Sequence, residues 1–151
     1  MGNDTATTAG SRQYLIFSLC GLSYALDLKQ VAEVCDPPQL SPVPLVPGYC
    51  EGVLNIHGEI FAVINLAQLL GLSESSRTGK LLVLNSEGVA LALAVDSVVR
   101  ILPEADITRH DSDVSRFSAI ELKTPIGTVQ LLDLAAVIRE VEEGFKSGGG
   151  H

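Results

Sequence analysis

The residues of this chain that could do chemistry are its histidines, cysteines and paired carboxylates, and their spacing denies them most of it. The histidines are His57, His110 and His151. None forms the His-x-x-x-His pair that puts two imidazoles on one helix face, and none has a serine nearby in a nucleophile-elbow setting. Cys20, Cys35 and Cys50 are evenly spaced. No Cys-x-x-Cys pair or clustered histidine accompanies them, as a zinc site would want. Three reduced thiols serving as small, largely apolar side chains are expected instead. His110-Asp111-Ser112-Asp113 gathers an imidazole and two carboxylates, yet no third carboxylate follows at calcium-loop spacing, and a solvated loop is expected. Neither a Gly-x-x-x-x-Gly-Lys run nor a Gly-x-Gly-x-x-Gly turn is present to cradle phosphate. The expectation is therefore no catalytic residue, no cofactor, no metal, and a binding module rather than an enzyme.

Composition points the same way. Of 151 residues, 46% are hydrophobic, enough for a sizeable interior. Tryptophan is absent and aromatics make up 5%, so that interior must be built from Val, Leu, Ile and Ala. Eighteen acidic against ten basic residues give a net charge of -8, a field that repels nucleic acid and anionic membranes. No apolar run approaches the length of a membrane span. Residues 1–12 lack the basic and apolar blocks of a signal peptide, and a cytoplasmic location is expected.

The elements that would position a binding surface are short and β-branched, with turn residues between them at all-β intervals. Tyr14–Leu19, Tyr24–Leu28 and Val31–Cys35 read as strands. Five of the seven prolines then fall between Pro37 and Pro47. Proline cannot donate to a ladder, so this stretch is a rigid loop or an edge. Cys50–Ile56 and Ile60–Leu66 read as strands around His57-Gly58-Glu59, and Ala67–Leu70 as a helical turn stopped by Gly71.

The second half repeats the first. Gly21–Leu28 with Val31 and Val34 resembles Gly88–Val95 with Val98 and Ile101, and Val63–Leu70 lines up with Leu131–Ile138. An Asx-Leu-Ala step enters a helix in both copies. Repetition implies two small β-barrels, each too small to be comfortable alone, packed on a shared core. The expected plan is a disordered 1–12, a first barrel about 14–72, a polar linker Ser73–Gly79 and a second barrel about 80–133. A closing helix about 134–143 and a flexible Gly-rich tail at 145–151 complete it.

Val31-Ala32-Glu33-Val34, the proline loop with Val43-Pro44-Leu45-Val46-Pro47, and Glu51-Gly52-Val53-Leu54-Asn55-Ile56-His57-Gly58-Glu59-Ile60 followed by Val63-Ile64-Asn65-Leu66 resemble the CheW domain over about Tyr14 to Val141. That family's signature reads roughly Pro-x-x-x-x-Gly-x-x-Asn-Leu-Arg-Gly before an apolar strand. The resemblance implies an all-β fold of two SH3-like five-stranded barrels sharing a hydrophobic core, with a short C-terminal helix. It also implies a role: a non-catalytic chemotaxis adaptor joining the cytoplasmic tips of methyl-accepting chemoreceptors to the regulatory domain of a CheA-type histidine kinase. The expected partner-binding residues are Val31, Glu33, Val34, Gly52, Val53, Asn55, His57 and Gly58. Gly52 and Gly58 would permit tight turns or close approach of another backbone. Asn55 would brace the loop by side-chain to backbone hydrogen bonds. Val31, Val34 and Val53 read equally as contact or as core.

One position departs from the pattern. Where the family has arginine, a permanent forked cation, this chain has His57, which is shorter and, with an ordinary pKa of about 6.5, mostly neutral. Drift on an exposed turn and service to a different receptor both account for it. The alternatives to the flagellar adaptor are a CheW-like scaffold of a surface-motility or other chemosensory pathway, and a small-ligand sensor on the same fold.

Overall fold

Leu22–Asp27 (β2) turns back on Gln13–Leu19 (β1) through Cys20 and Gly21, both at positive φ (51° and 80°). That backbone suits the right-handed twist of a two-residue hairpin. The Cys20 N–H donates to the Asp96 carboxylate at 2.8 Å, which pins the unusual non-glycine position. This computed structural model describes residues 12–37, 39–72 and 79–149; most of the expected linker, and the chain before Arg12, lie outside them.

A 3-10 turn at Leu28–Gln30 leads into β3 (Val31–Cys35). β4 (Cys50–Ile56) and β5 (Glu59–Asn65) form a hairpin, and α1 (Leu66–Leu69) follows under an Asn65 cap that accepts from Gln68 N–H at 3.1 Å. Then come β6 (Lys80–Leu84), β7 (Leu91–Val95), β8 (Ser97–Pro103), β9 (Thr108–Ser115), β10 (Ser118–Thr124), β11 (Gly127–Leu131) and α2 (Leu134–Gly149). The stretch expected as a solvated loop around His110 is strand β9. It lies at a sheet edge, where charged side chains discourage pairing with another chain.

Two sheets result, in the orders β8-β1-β2-β11-β10-β9 and β3-β6-β7-β5-β4. The fold is all-β with two sheets and one C-terminal helix, but the division at 14–72 and 80–133 does not separate the sheets. The hairpin β1–β2 belongs with β8 to β11, and β6–β7 belongs with β3 to β5. Each half has given its partner a hairpin. The repeat makes the exchange symmetric: Tyr24 pairs with Gln130 and Ala25 with Leu131, while their counterparts Leu91 and Ala92 pair with Ala62 and Val63, parallel in both cases.

The two sheets differ by one strand. β10 has β9 beyond it, whereas beside β4 runs the proline segment. There a single bridge forms, Ser41 and Val53 exchanging backbone hydrogen bonds of 3.0 and 2.9 Å. The missing donors of Pro42 and Pro44 preclude a longer ladder.

Alternation along the central strands builds three apolar layers. Leu15, Phe17 and Leu19 of β1, Leu82 and Leu84 of β6, and Leu91, Leu93 and Val95 of β7 meet in one core between the sheets, sealed by Leu134, Val137 and Val141 of α2. The intervening residues fill the separate interiors. Tyr14, Ile16 and Leu122 line one, and Phe61, Val63, Leu81 and Ala92 the other. Strands covered on both faces need the continuous apolar runs the sequence carries.

Helix α2 continues to Gly149 instead of ending near 143. Phe145 packs against the shared core, and Tyr49 Oη donates to the Glu140 carbonyl at 3.4 Å. Gly144 admits this contact, since a Cβ there would collide with Tyr49 Oη.

Candidate functional site

β3 is an edge strand, paired only with β6 and bulged between Val31 and Glu33. Its side chains divide by burial. Val31 is half-buried against the shared core, whereas Val34 is 41% exposed. Of the valines that sequence left open, Val34 is available for contact and Val31 belongs with the core. Val53 is half-buried and carries the bridge to Ser41.

Gly52 is buried at φ 144°, where a Cβ would stand 2.6 Å from the Ser41 carbonyl oxygen. Only glycine lets the proline segment cross β4 so closely. At the end of the hairpin, His57 (φ 52°) and Gly58 (φ 87°) form a tight turn. Asn55 Oδ1 accepts from the Gly58 N–H at 2.9 Å. The turn carries the imidazole back over β3, so that His57 Nε2 stands 3.1 Å from Glu33 Oε1. The pair is exposed, more so on the histidine side, and is an ion pair when the imidazole is protonated. Glu33, Asn55, His57 and Gly58 thus meet at one end of the second sheet, Val34 follows Glu33 along β3, Val31 packs on the shared core, and Gly52 stands against the proline segment.

Beside the pair lies an open depression of about 480 Å³, walled by Phe61, Val83 and Val89 and rimmed by Glu33, Glu59 and Glu87. Ile60, 56% exposed, follows the turn. Lys80 Nζ lies 2.6 Å from Asp36 at the far end of β3 and holds that carboxyl below its usual pKa, chiefly by hydrogen bonding. Burial, then Glu33 and Asp36, push the Cys35 thiol up, so it stays a protonated, unreactive group.

Sequence reasoning did not nominate β8, although the signal was present. Val98 and Ile101 are the repeat counterparts of Val31 and Val34, and they divide the same way. Val98 is half-buried on the shared core, Ile101 is 46% exposed, and the neighbouring Val99 is 47% exposed. β8, like β3, is an edge strand. Each sheet therefore offers one edge with projecting aliphatic side chains.

Among the described residues no group of three His, Cys, Asp or Glu side chains could hold a metal ion, and Cys20, Cys35 and Cys50 form no disulfide and are half-buried. No described helix is long and apolar enough to cross a membrane. What the geometry presents is aliphatic edges, a braced turn and an exposed polar pair, on a rigid double sheet.

These features define a β-sheet scaffold whose chemistry is recognition. The CheW-like domain matches residues 13–142, and the chain belongs to that family. The chemotaxis protein CheW of Thermotoga maritima is 27% identical over 134 residues, covering 85% of this chain and 89% of its own. CheW of Treponema pallidum is 29% identical over 96 residues, 60% of this chain and 56% of its own. Among solved structures, the scaffolding protein TtCheW of Thermoanaerobacter tengcongensis superposes with a TM-score of 0.71 at 25% identity, covering 80% of this chain and 88% of that one. The chain is a chemotaxis coupling adaptor and not an enzyme.

Proposed function

We propose that this protein, acting in the cytoplasm, couples the tips of methyl-accepting chemoreceptors to the regulatory domain of a CheA-type histidine kinase. The observation that carries this reading is the edge of β3, where the exposed Val34 follows Glu33, the partner of His57. An exposed aliphatic side chain at an edge strand, flanked by polar residues, suits an interface with an apolar centre and a polar rim. Val31, Gly52, Val53, Asn55 and Gly58 hold that edge and its turn in shape. Reconstitution tests the role. Adding the chain to membranes bearing the receptor and its kinase should raise kinase activity, and Val34→Asp should abolish the rise. Activation by the Val34→Asp variant equal to the parent's would rule out the β3 edge.

His57 in the arginine position favours a second reading, a divergent scaffold serving a different receptor or a non-flagellar chemosensory array. An arginine would reach further and keep its charge at every physiological pH. The His57→Arg variant should then activate the cognate kinase to a different extent with its own receptor, at unchanged stability. Indistinguishable coupling would mark the histidine as neutral.

A further inference from the structure

The first sheet carries a cavity that the adaptor role does not use. It has a volume of about 330 Å³ and opens between β1, β9, β10, β11 and the start of α2. Its floor is apolar, made by Ile120, Leu131, Leu134 and Ala135, and its rim carries Arg12, Tyr14 and Arg109. Asp27 and Asp133 lie at the same rim, so what distinguishes the two guanidinium groups is what each one touches.

Their partners differ. Arg12 Nε lies 3.2 Å from Asp27 Oδ2, so its charge is answered. Arg109 donates through Nη1 to Tyr14 Oη at 2.9 Å, and no carboxylate among the described residues lies within ion-pairing distance of it. Asp133, the other acid at the rim, is engaged as the cap of α2, accepting from Ala136 N–H at 3.2 Å. Asp133 keeps its charge, so the rim as a whole is balanced, and Arg109 is the cation that no described carboxylate contacts directly. Tyr14 supplies the second feature. It is 1% exposed, and its oxygen accepts from Arg109. The phenolic hydrogen therefore points away from that guanidinium, and no acceptor for it stands among the described residues. A guanidinium with spare N–H groups and an uncommitted O–H stand side by side above an apolar floor.

We infer that this cavity binds a small organic monocarboxylate with an apolar body. One carboxylate oxygen would accept from the Arg109 guanidinium and the other from the Tyr14 hydroxyl, a charge-assisted pair of hydrogen bonds. The hydrocarbon part would cover Ile120, Leu131 and Leu134. The volume is that of a small-molecule site, with an apolar lining and a few convergent polar groups. The ligand would bridge β1, β9 and α2, and so tie the first sheet to the helix that seals the shared core.

Benzoate is a suitable probe, with benzamide as its neutral isostere. Calorimetry on the full chain should show saturable one-to-one benzoate binding, with benzamide at least about tenfold weaker, the factor expected for one charge-assisted contact. Arg109→Gln and Tyr14→Phe should each weaken benzoate by about tenfold. Tyr14→Phe keeps the buried ring, and thermal melts would confirm that both variants fold. Backbone amide shifts should appear at Leu134 and Ala135 and not at Val34. Absence of saturable benzoate binding to the parent, equal binding of benzamide, or full affinity in Arg109→Gln would each overturn the assignment. So would capture of a peptide ending in a phenylalanine carboxylate while benzoate stays silent.

Discussion

His57 Nε2 lies 3.1 Å from Glu33 Oε1, joining the β4–β5 turn to the edge of β3 across 24 residues of sequence. Both side chains are solvent-accessible, so the contact shapes the surface more than it stabilises the fold. Glu33→Gln and His57→Ala should each change the unfolding free energy by less than about 1 kcal/mol in denaturant titrations, as exposed pairs do. A larger loss from either would mean that the turn depends on the pair and not on Asn55.

Gly52 is the opposite case. Its backbone at φ 144° and the Ser41 carbonyl 2.6 Å from a would-be Cβ leave no room for a side chain. Gly52→Ala should cost about 2 kcal/mol or more, as strained backbone and buried overlap do. It should also displace the proline segment. Urea midpoints at unchanged slope would measure the cost, and a midpoint within error of the parent's would contradict the crossing.

Gly144 and Tyr49 should be energetically coupled. A Cβ at Gly144 meets Tyr49 Oη, the same atom that donates to the Glu140 carbonyl. Gly144→Ala should therefore be destabilising in the parent and cost less in a Tyr49→Phe background. A double-mutant cycle with a coupling of about 0.5 kcal/mol or more is expected. Additivity would separate the helix from the loop.

The exchanged hairpins forbid the sheets from unfolding independently. Leu93 is fully buried in the core between them, and Leu93→Ala should cost about 2–5 kcal/mol. Parent and variant should each show one transition by calorimetry and by circular dichroism. Two separated transitions would contradict the shared core.

Some of this architecture was legible in the sequence. Val31–Cys35 and Cys50–Ile56 could be bounded to the residue because β-branched runs end against glycine and proline. The repeat was legible too, since Asn65-Leu66-Ala67 and Asp133-Leu134-Ala135 each cap a helix after a strand. The hairpin exchange was not. Tyr24 finds Gln130, and Leu91 finds Ala62, through parallel pairings between distant segments, and local periodicity carries no information about partners. β9 was missed because edge strands tolerate the charges that mark loops. At the candidate surface, residue types announced the turn at His57 and Gly58. They could not separate Val34 from Val31, because burial depends on which strand lies alongside.

Titration calorimetry against the isolated regulatory domain of a CheA-type kinase from the same organism tests the central claim most directly. Saturable one-to-one binding, weakened at least about tenfold by Val34→Asp, is the predicted result, the loss expected when a charge must be desolvated in an apolar contact. Failure of the folded parent to bind any such kinase would leave the double-sheet fold standing and contradict the coupling role.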